Sequence, residues 1–370
     1  MKTFNKILIL IIVPVLVLWG CSKEQPRKTP RAESHPEEFQ LQDISWIDPY
    51  AYMVDLEHPD TVQYIADEQQ YFAEQTQAWG PKLKRMMSEL NAQLSIERKT
   101  TPIVAGDFEY HSEIRKGHQY PVYYRRPRAL AGDPQVVIDL NKLSNGADYY
   151  ALGSFITSPE EHTVAFTEDR TGDGNHRLRL RHLESGVVTT LAEGVEPSLA
   201  WNGDAVLAVD KETNSVVEHL ADGQKVMLYR ETDPAFSLSV RTARDRKTVM
   251  ITSESHVATE IRVLSPGGEL QLIAPREDGH RYRLMIDDDH MTVLSNYKRP
   301  GYAIALIKDG EFDPDDWQFY ELDPPGRVVD FERFDKHLLV QVRNSLRDEL
   351  VLIEPATGYQ QSILSAGAGE

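Results

Sequence analysis

A single cysteine, Cys21, rules out a disulfide within the chain, whatever its compartment. Basic residues are also in deficit: 40 Lys and Arg face 58 Asp and Glu, for a net charge of −18. Such a surface repels nucleic acid and anionic lipid headgroups, so neither is an expected partner. The acidity suits a basic partner and also serves solubility. Long apolar runs are missing. The longest, Ile7 to Trp19, has thirteen residues and is broken by Pro14. A membrane-spanning helix needs ~20. The patterns of chemistry are missing too. No G-x-S-x-G nucleophile elbow occurs. No H-x-x-x-H pair sits on a helical pattern, and no glycine-rich loop cradles a phosphate. No catalytic residue, no metal and no cofactor are therefore expected.

What is present begins with a leader. Lys2 and Lys6 precede the apolar run, and Leu18-Trp19-Gly20-Cys21 follows it. This resembles the lipobox of bacterial lipoproteins, with Trp19 bulkier than the small residue usual there. The expectation is a signal peptide over 1–20 and a lipidated Cys21 holding the chain to the membrane. Ser22 after the cysteine resembles an outer-membrane sorting signal of Gram-negative lipoproteins, which places the chain in the envelope, facing the periplasm. Without Lys2 and Lys6 the charge becomes −20. The mature chain of roughly 350 residues is long enough for a sizeable core.

Residues 21–42 are rich in Lys, Glu and Pro and read as a flexible tether. Residues 43–100 read as a helical segment. Pro59-Asp60 followed by Gln63 marks a helix start, with Asp60 as the cap. Val62, Ile65 and Phe72 lie near helical spacing, and Gly80-Pro81 breaks the run. Leu83, Met86, Met87, Leu90 and Leu94 then form one face of a second helix. A stripe of this kind ordinarily faces a core. Its other destiny is a partner-binding surface.

From 101 to 370 the texture is β-rich and repetitive. One set of runs starts at His162, Asp204, Lys247, His290 and His337, at spacings of 42, 43, 43 and 47 residues. A second set follows at Arg177, Ser215, Thr259, Tyr302 and Glu349. An earlier, less regular unit holds Phe108–Ile114 and Tyr120–Tyr124. A period of ~40–45 residues with about four short strands each is the pattern of propeller blades. The expected fold is mainly β: a β-propeller of about six recognisable blades, preceded by the short helical segment.

The residues also carry a family resemblance. Asp48-Pro49-Tyr50 with Asp55-Leu56-Glu57 resembles the opening of the prolyl oligopeptidase family of serine peptidases. Gly117 to Arg126 (GHQYPVYYRR) is similar to the first propeller hairpin of its oligopeptidase B branch. Tyr150-Ala151-Leu152-Gly153, Ser158-Pro159, Thr171-Gly172-Asp173, Leu183 to Gly186 and Ala274 to Glu277 follow in the family's order. The resemblance implies an N-terminal helical piece and a seven-bladed propeller, which restricts access to an α/β-hydrolase domain that cuts short peptides. This sequence shows six units, so the propeller is about one blade short, and the hydrolase half has no counterpart within it. The expected function is a membrane-anchored, non-catalytic module that binds a peptide or a partner. The alternatives are half of a split or truncated serine endopeptidase, with its hydrolase domain on another chain, and a scaffold in an envelope assembly. Peptides, a hydrolase domain and envelope proteins are thus the expected partners.

The remaining motifs have plain readings. His162, His290 and His337 recur at one blade position, which argues a turn role. Asp169 to Asn175 hints at a Ca²⁺ loop but lacks the EF-hand spacing and reads as a turn. The Asp287–Asp289 and Asp313–Asp316 clusters read as solvated loop tips, and Arg125-Arg126-Pro127-Arg128 as a charged hairpin edge.

One acyl chain binds a membrane only marginally, whereas two or more hold it stably. Cys21→Ser is therefore expected to move the protein out of the membrane fraction or leave it unprocessed. Fractionation and gel mobility read this directly; if neither changes, the lipobox reading is wrong.

Overall fold

The computed structural model describes residues 28–93, 97–129, 132–287, 290–308, 310–323, 325–334, 336–345 and 347–365. The chain divides into two compact units, with the boundary between residues 96 and 97.

The first unit opens with a β-hairpin, Glu37–Leu41 against Ile44–Asp48. The first strand lies where a flexible tether was expected, and the second where a helix was expected. Phe39 and Trp46 pair directly across the strands and stack 5.6 Å apart, a cross-strand pair of the stabilising kind. Helix α1 (Pro59–Thr76) follows, then a short 3₁₀ turn (Gln77–Trp79) and helix α2 (Gly80–Gln93). The cap of α1 is His58 rather than Asp60. The His58 ring accepts the Asp60 backbone N–H, and Pro59 takes the first turn, where its missing N–H costs nothing.

The second unit is a β-propeller of six blades. Blade 1 spans 98–139. Blades 2 and 3 share one seven-stranded sheet over 151–230, and blades 4, 5 and 6 are four-stranded sheets over 237–274, 282–319 and 327–365. All pairings are antiparallel, and all but one join strands adjacent in the chain; in blade 1, Arg98–Lys99 pairs with Phe108–Ile114 past the short strand Ile103–Ala105. The shared sheet arises because one strand, Val188–Asn202, closes blade 2 and opens blade 3. Its register shifts between Val195 and Leu199, and Pro197 falls in that irregularity, where no ladder N–H is needed.

The first repeat set forms the second strand of blades 2 to 6: Thr163–Asp169, Ala205–Asp210, Val249–Glu254, His290–Ser295 and His337–Asn344. The second set supplies the third strands. Phe108–Ile114 is the matching second strand of blade 1. The second strands of blades 2 to 5 are buried along nearly their whole length because both faces are covered by neighbouring blades, whereas that of blade 6 is buried on alternate residues only.

The core consists of five layers, each between consecutive blades. Val137, Ile138, Val164 and Phe166 join blades 1 and 2. Leu178, Leu199 and Trp201 join 2 and 3. Leu207, Val209, Val240 and Ile251 join 3 and 4. Ile261, Ile273, Tyr282 and Leu284 join 4 and 5. Leu294, Ile304, Val340 and Ile353 join 5 and 6. Among the described residues, no apolar cluster joins blade 6 to blade 1.

Polar groups inside this core are mostly paired. Glu231, just past the last strand of blade 3, is buried and receives Arg276 Nη2 at 2.6 Å. The same guanidinium reaches Glu260 at 3.1 Å and stacks over Phe236. Burial alone would raise the Glu231 carboxyl, but Arg276, Ser253 and the Asp233 N–H overcome it and hold it at about 2. Arg125, expected on a charged edge, is instead buried in an interior strand. It stacks on Phe108 and donates to Gln135 and to the Glu161 carbonyl.

His219 is different: it is buried and neither ring nitrogen has a partner. Burial, and then the nearby Lys225, push it down to about 4. Burial likewise lowers His280. A depressed folded pKa means that the unfolded chain takes up protons first, so stability is lost as pH falls from ~6.5 toward 4. For His219 that loss approaches about 3 kcal/mol. His219→Phe is expected to flatten the acid limb, read as urea midpoints at pH 7 and pH 4.5. An acid limb as steep as the parent's would count against this account.

Candidate functional site

The site expected from the sequence is the apolar stripe of α2. Leu83, Met86, Met87 and Leu90 are between 46% and 59% exposed, and α2 buries none of its residues. Leu94 lies outside the described residues, as does Cys21. In α1 only Thr61 is buried, while Val62, Ile65 and Phe72 are exposed. The polar side of α1 is tied locally, by Gln63 to Asp67, Tyr64 to Glu68 and Gln70 to Glu74. The hairpin adds exposed Leu41, Ile44, Trp46 and Ile47. More than half of the large apolar side chains exposed by the described chain thus fall in its first, much smaller unit. No helix among the described residues is long and apolar enough to cross a membrane.

Glu33, His35 and Asp60 bring three ligand-type atoms within 4.8 Å of one another. The His35 ring already pairs with Asp60 at 2.9 Å, and the group is largely solvent-exposed. It amounts to an ion pair at the start of α1.

Among the described residues two serine–histidine contacts occur, and neither has the form of a nucleophile and base. Ser185 Oγ meets His182 Nδ1 at 3.2 Å within one exposed turn. Ser295 Oγ meets His280 Nε2 at 2.9 Å, but both are buried, and His280 Nδ1 has no partner to orient the ring. Gly153-Ser154 lies inside the first strand of blade 2, where Ser154 Oγ donates to the Pro197 carbonyl. A triad needs a base held by a third group, and these pairs lack it.

The Asp169–Asn175 segment is a closed turn. Asp169 accepts backbone N–H groups from Thr171, Gly172 and Gly174, which hold its carboxyl at about 2. This turn walls a cavity of about 540 Å³ between blades 2 and 3. In its lining Arg177 faces Glu193 at 3.4 Å, and Lys211 donates to the Gly174 carbonyl. In the cluster at Asp313–Asp316, Asp313 caps a short 3₁₀ turn and Asp315 pairs with Lys298. Asp288 and Asp289 lie outside the described residues.

At the opposite blade ends, the hairpins joining first and second strands meet across the ring. Arg246 of blade 4 pairs with Glu161 of blade 2 at 2.7 Å, and Arg244 pairs with Glu332 of blade 6. Gly106 of blade 1 approaches so closely that a Cβ there would stand 1.6 Å from Arg246 Nη1; its φ of +59° also favours glycine. His162, His290 and His337 stand at these same hairpins, none with a carboxylate partner among the described residues.

Comparison with known proteins agrees with this architecture. The family model for the N-terminal β-propeller domain of prolyl oligopeptidase matches residues 27–366. The chain is 24% identical over 329 residues to dipeptidyl aminopeptidase BI of Pseudoxanthomonas mexicana, covering 80% of this chain and 45% of that one. It is 26% identical over 358 residues to an uncharacterized peptidase, y4qF, of Sinorhizobium fredii, covering 91% and 47%. Among solved structures, oligopeptidase B from Trypanosoma brucei superposes with a TM-score of 0.79 at 22% identity, over 92% of this chain and 54% of that one. The chain spans about half the length of the curated relatives it matches. It belongs to the prolyl oligopeptidase family, and what it carries of that family is the N-terminal β-propeller region.

Proposed function

We propose that this chain is a membrane-anchored docking module without catalysis of its own. Its helical unit seats a hydrolase-type domain lying outside these 370 residues. The observation that carries the reading is α2, a helix with a four-residue apolar face and no buried residue. Fully burying a Leu or Met side chain is worth ~1.5–3 kcal/mol, so covering a half-exposed one returns roughly 1 kcal/mol. Covering the four residues of this stripe therefore repays a partner by on the order of 4 kcal/mol. A hydrolase-type domain is the occupant because the chain aligns with about half of each relative. Lipidation of Cys21 would hold the assembly at the outer membrane, on the periplasmic side.

The test combines cross-linking with a fluorophosphonate probe on membranes carrying the full chain. The chain itself should stay unlabelled, while a species cross-linked through α2 takes the label. Met87→Glu with Leu90→Glu should weaken that association by at least about tenfold and leave the melting temperature unchanged. Labelling of the chain itself would refute the non-catalytic reading. Cross-linking only to a second copy would replace the hydrolase partner with a dimer. Strong destabilisation by the double change would show that the stripe is ordinary core.

A further inference from the structure

We propose that Asn145 is a site of spontaneous modification, converted to aspartate and isoaspartate by loss of ammonia through attack of the Gly146 nitrogen. The site lies in the propeller, on the link between blades 1 and 2, and does not rest on the docking reading. The chain holds two Asn-Gly pairs, at 145–146 and 202–203, and the fold treats them differently.

The reaction starts when the main-chain nitrogen of the glycine attacks the side-chain carbonyl carbon of the asparagine. Glycine permits it because no Cβ crowds the approach and its backbone is the freest. The glycine N–H must be unengaged, the asparagine amide unheld, and the local chain free to turn. Asn145-Gly146 meets these conditions. A short helix, α3 (Leu140–Leu143), ends just before it. The chain then turns over Ser144–Ala147, closed by the Ala147 N–H on the Ser144 carbonyl at 3.0 Å. Gly146 stands third in that turn with φ of +74°, a position that favours glycine. Both residues of the pair are exposed. Among the described residues, neither the Gly146 N–H nor the Asn145 side-chain amide has a hydrogen-bond partner.

The other candidates are held. Asn202 ends the strand Val188–Asn202, is paired there with Ala205, and its amide nitrogen donates to Glu218 at 2.6 Å. Attack on its carbonyl requires that bond and the strand end to open. Asp-Gly pairs close the same ring, but their glycine N–H groups are engaged. Gly174 donates to Asp169, Gly223 to the Leu220 carbonyl and Gly279 to the Val257 carbonyl. Among the described residues, Asn145-Gly146 is the pair with both groups free.

The step needs only water. A bond forms between the Gly146 nitrogen and Asn145 Cγ, and the Cγ–Nδ2 bond breaks. Ammonia leaves with the proton of the Gly146 nitrogen, and a succinimide ring remains. One water then opens either carbonyl–nitrogen bond of the ring. Opening at Cγ leaves aspartate; opening at the main-chain carbonyl leaves isoaspartate, whose chain runs through the side-chain carbon. Either product sets a new carboxylate near Arg170, which reaches the Leu143 carbonyl at 2.6 Å and the Asn145 carbonyl at 3.4 Å. Arg170 has no acidic partner among the described residues, and it lines the cavity of about 540 Å³ between blades 2 and 3. The modification therefore changes the charge beside that wall.

The test is peptide mapping of the full chain, aged at neutral pH either folded or in urea. Trypsin separates the two sites: the peptide 143–170 holds Asn145, 182–211 holds Asn202, and neither holds another asparagine. In the folded chain, conversion at Asn145 should run at least about tenfold ahead of Asn202, whose strand end must open first. In urea the two should run alike. Isoaspartate at 145 should accept a labelled methyl group from an isoaspartyl methyltransferase. Asn145→Ser should remove the first acidic species seen on anion exchange and leave the melting temperature unchanged. Equal rates at the two sites in the folded chain would overturn the proposal. So would an intact Asn145 in folded protein while the urea sample converts, or the same acidic species in Asn145→Ser.

Discussion

A four-stranded sheet that is apolar on both faces cannot be buried alone. That constraint organises the propeller. The second strands of blades 2 to 5 each need a blade on either side, and the core is therefore five layers between blades rather than one centre. Polar groups trapped between layers must bring partners with them. Glu231, Glu260 and Arg276 do so across blades 3 and 4. Breaking such a buried pair by removing one partner costs several kcal/mol, because the other charge stays behind. His219 is one of the exceptions among the described residues, and it is accommodated by staying neutral.

The helical unit shows the same constraint unmet. Its hairpin has two strands, which is marginal without further packing. Its helices carry apolar faces, yet Thr61 is the only residue of α1 and α2 that is buried. Helices of this length gain most of their stability from tertiary packing, not from propensity. The propeller spends its apolar side chains on itself, while the helical unit presents its own outward. The docking proposal rests on that contrast.

The blades were legible because their spacing repeats and their second strands are near-continuous apolar runs. Lys247-Thr-Val-Met-Ile-Thr and His290-Met-Thr-Val-Leu-Ser fall where the strands Val249–Glu254 and His290–Ser295 lie. Phe108–Ile114 matches its strand from end to end. The hairpin at 37–48 was not legible. Its apolar residues are few and set among Glu, Gln and Asp, and its signal is one aromatic pair visible only once the strands are aligned. The cap of α1 went to His58 because a histidine ring accepting a backbone N–H is a less familiar cap than aspartate. Arg125 looked like a charged hairpin edge, since burial of arginine depends on partners far away in sequence. Of the candidate site, the α2 stripe was legible from its period, whereas whether it faced core or solvent was not.

The central claim is that the propeller is self-sufficient and the helical unit awaits a partner. Hydrogen exchange on the purified chain at micromolar concentration tests it most directly. The account predicts that amides of Val249–Glu254 and the other second strands exchange only through global unfolding. Those of α1 and α2 should exchange orders of magnitude faster, in keeping with helices that bury almost nothing. Protection of α2 equal to that of the blade strands, in a chain that remains monomeric, would contradict it.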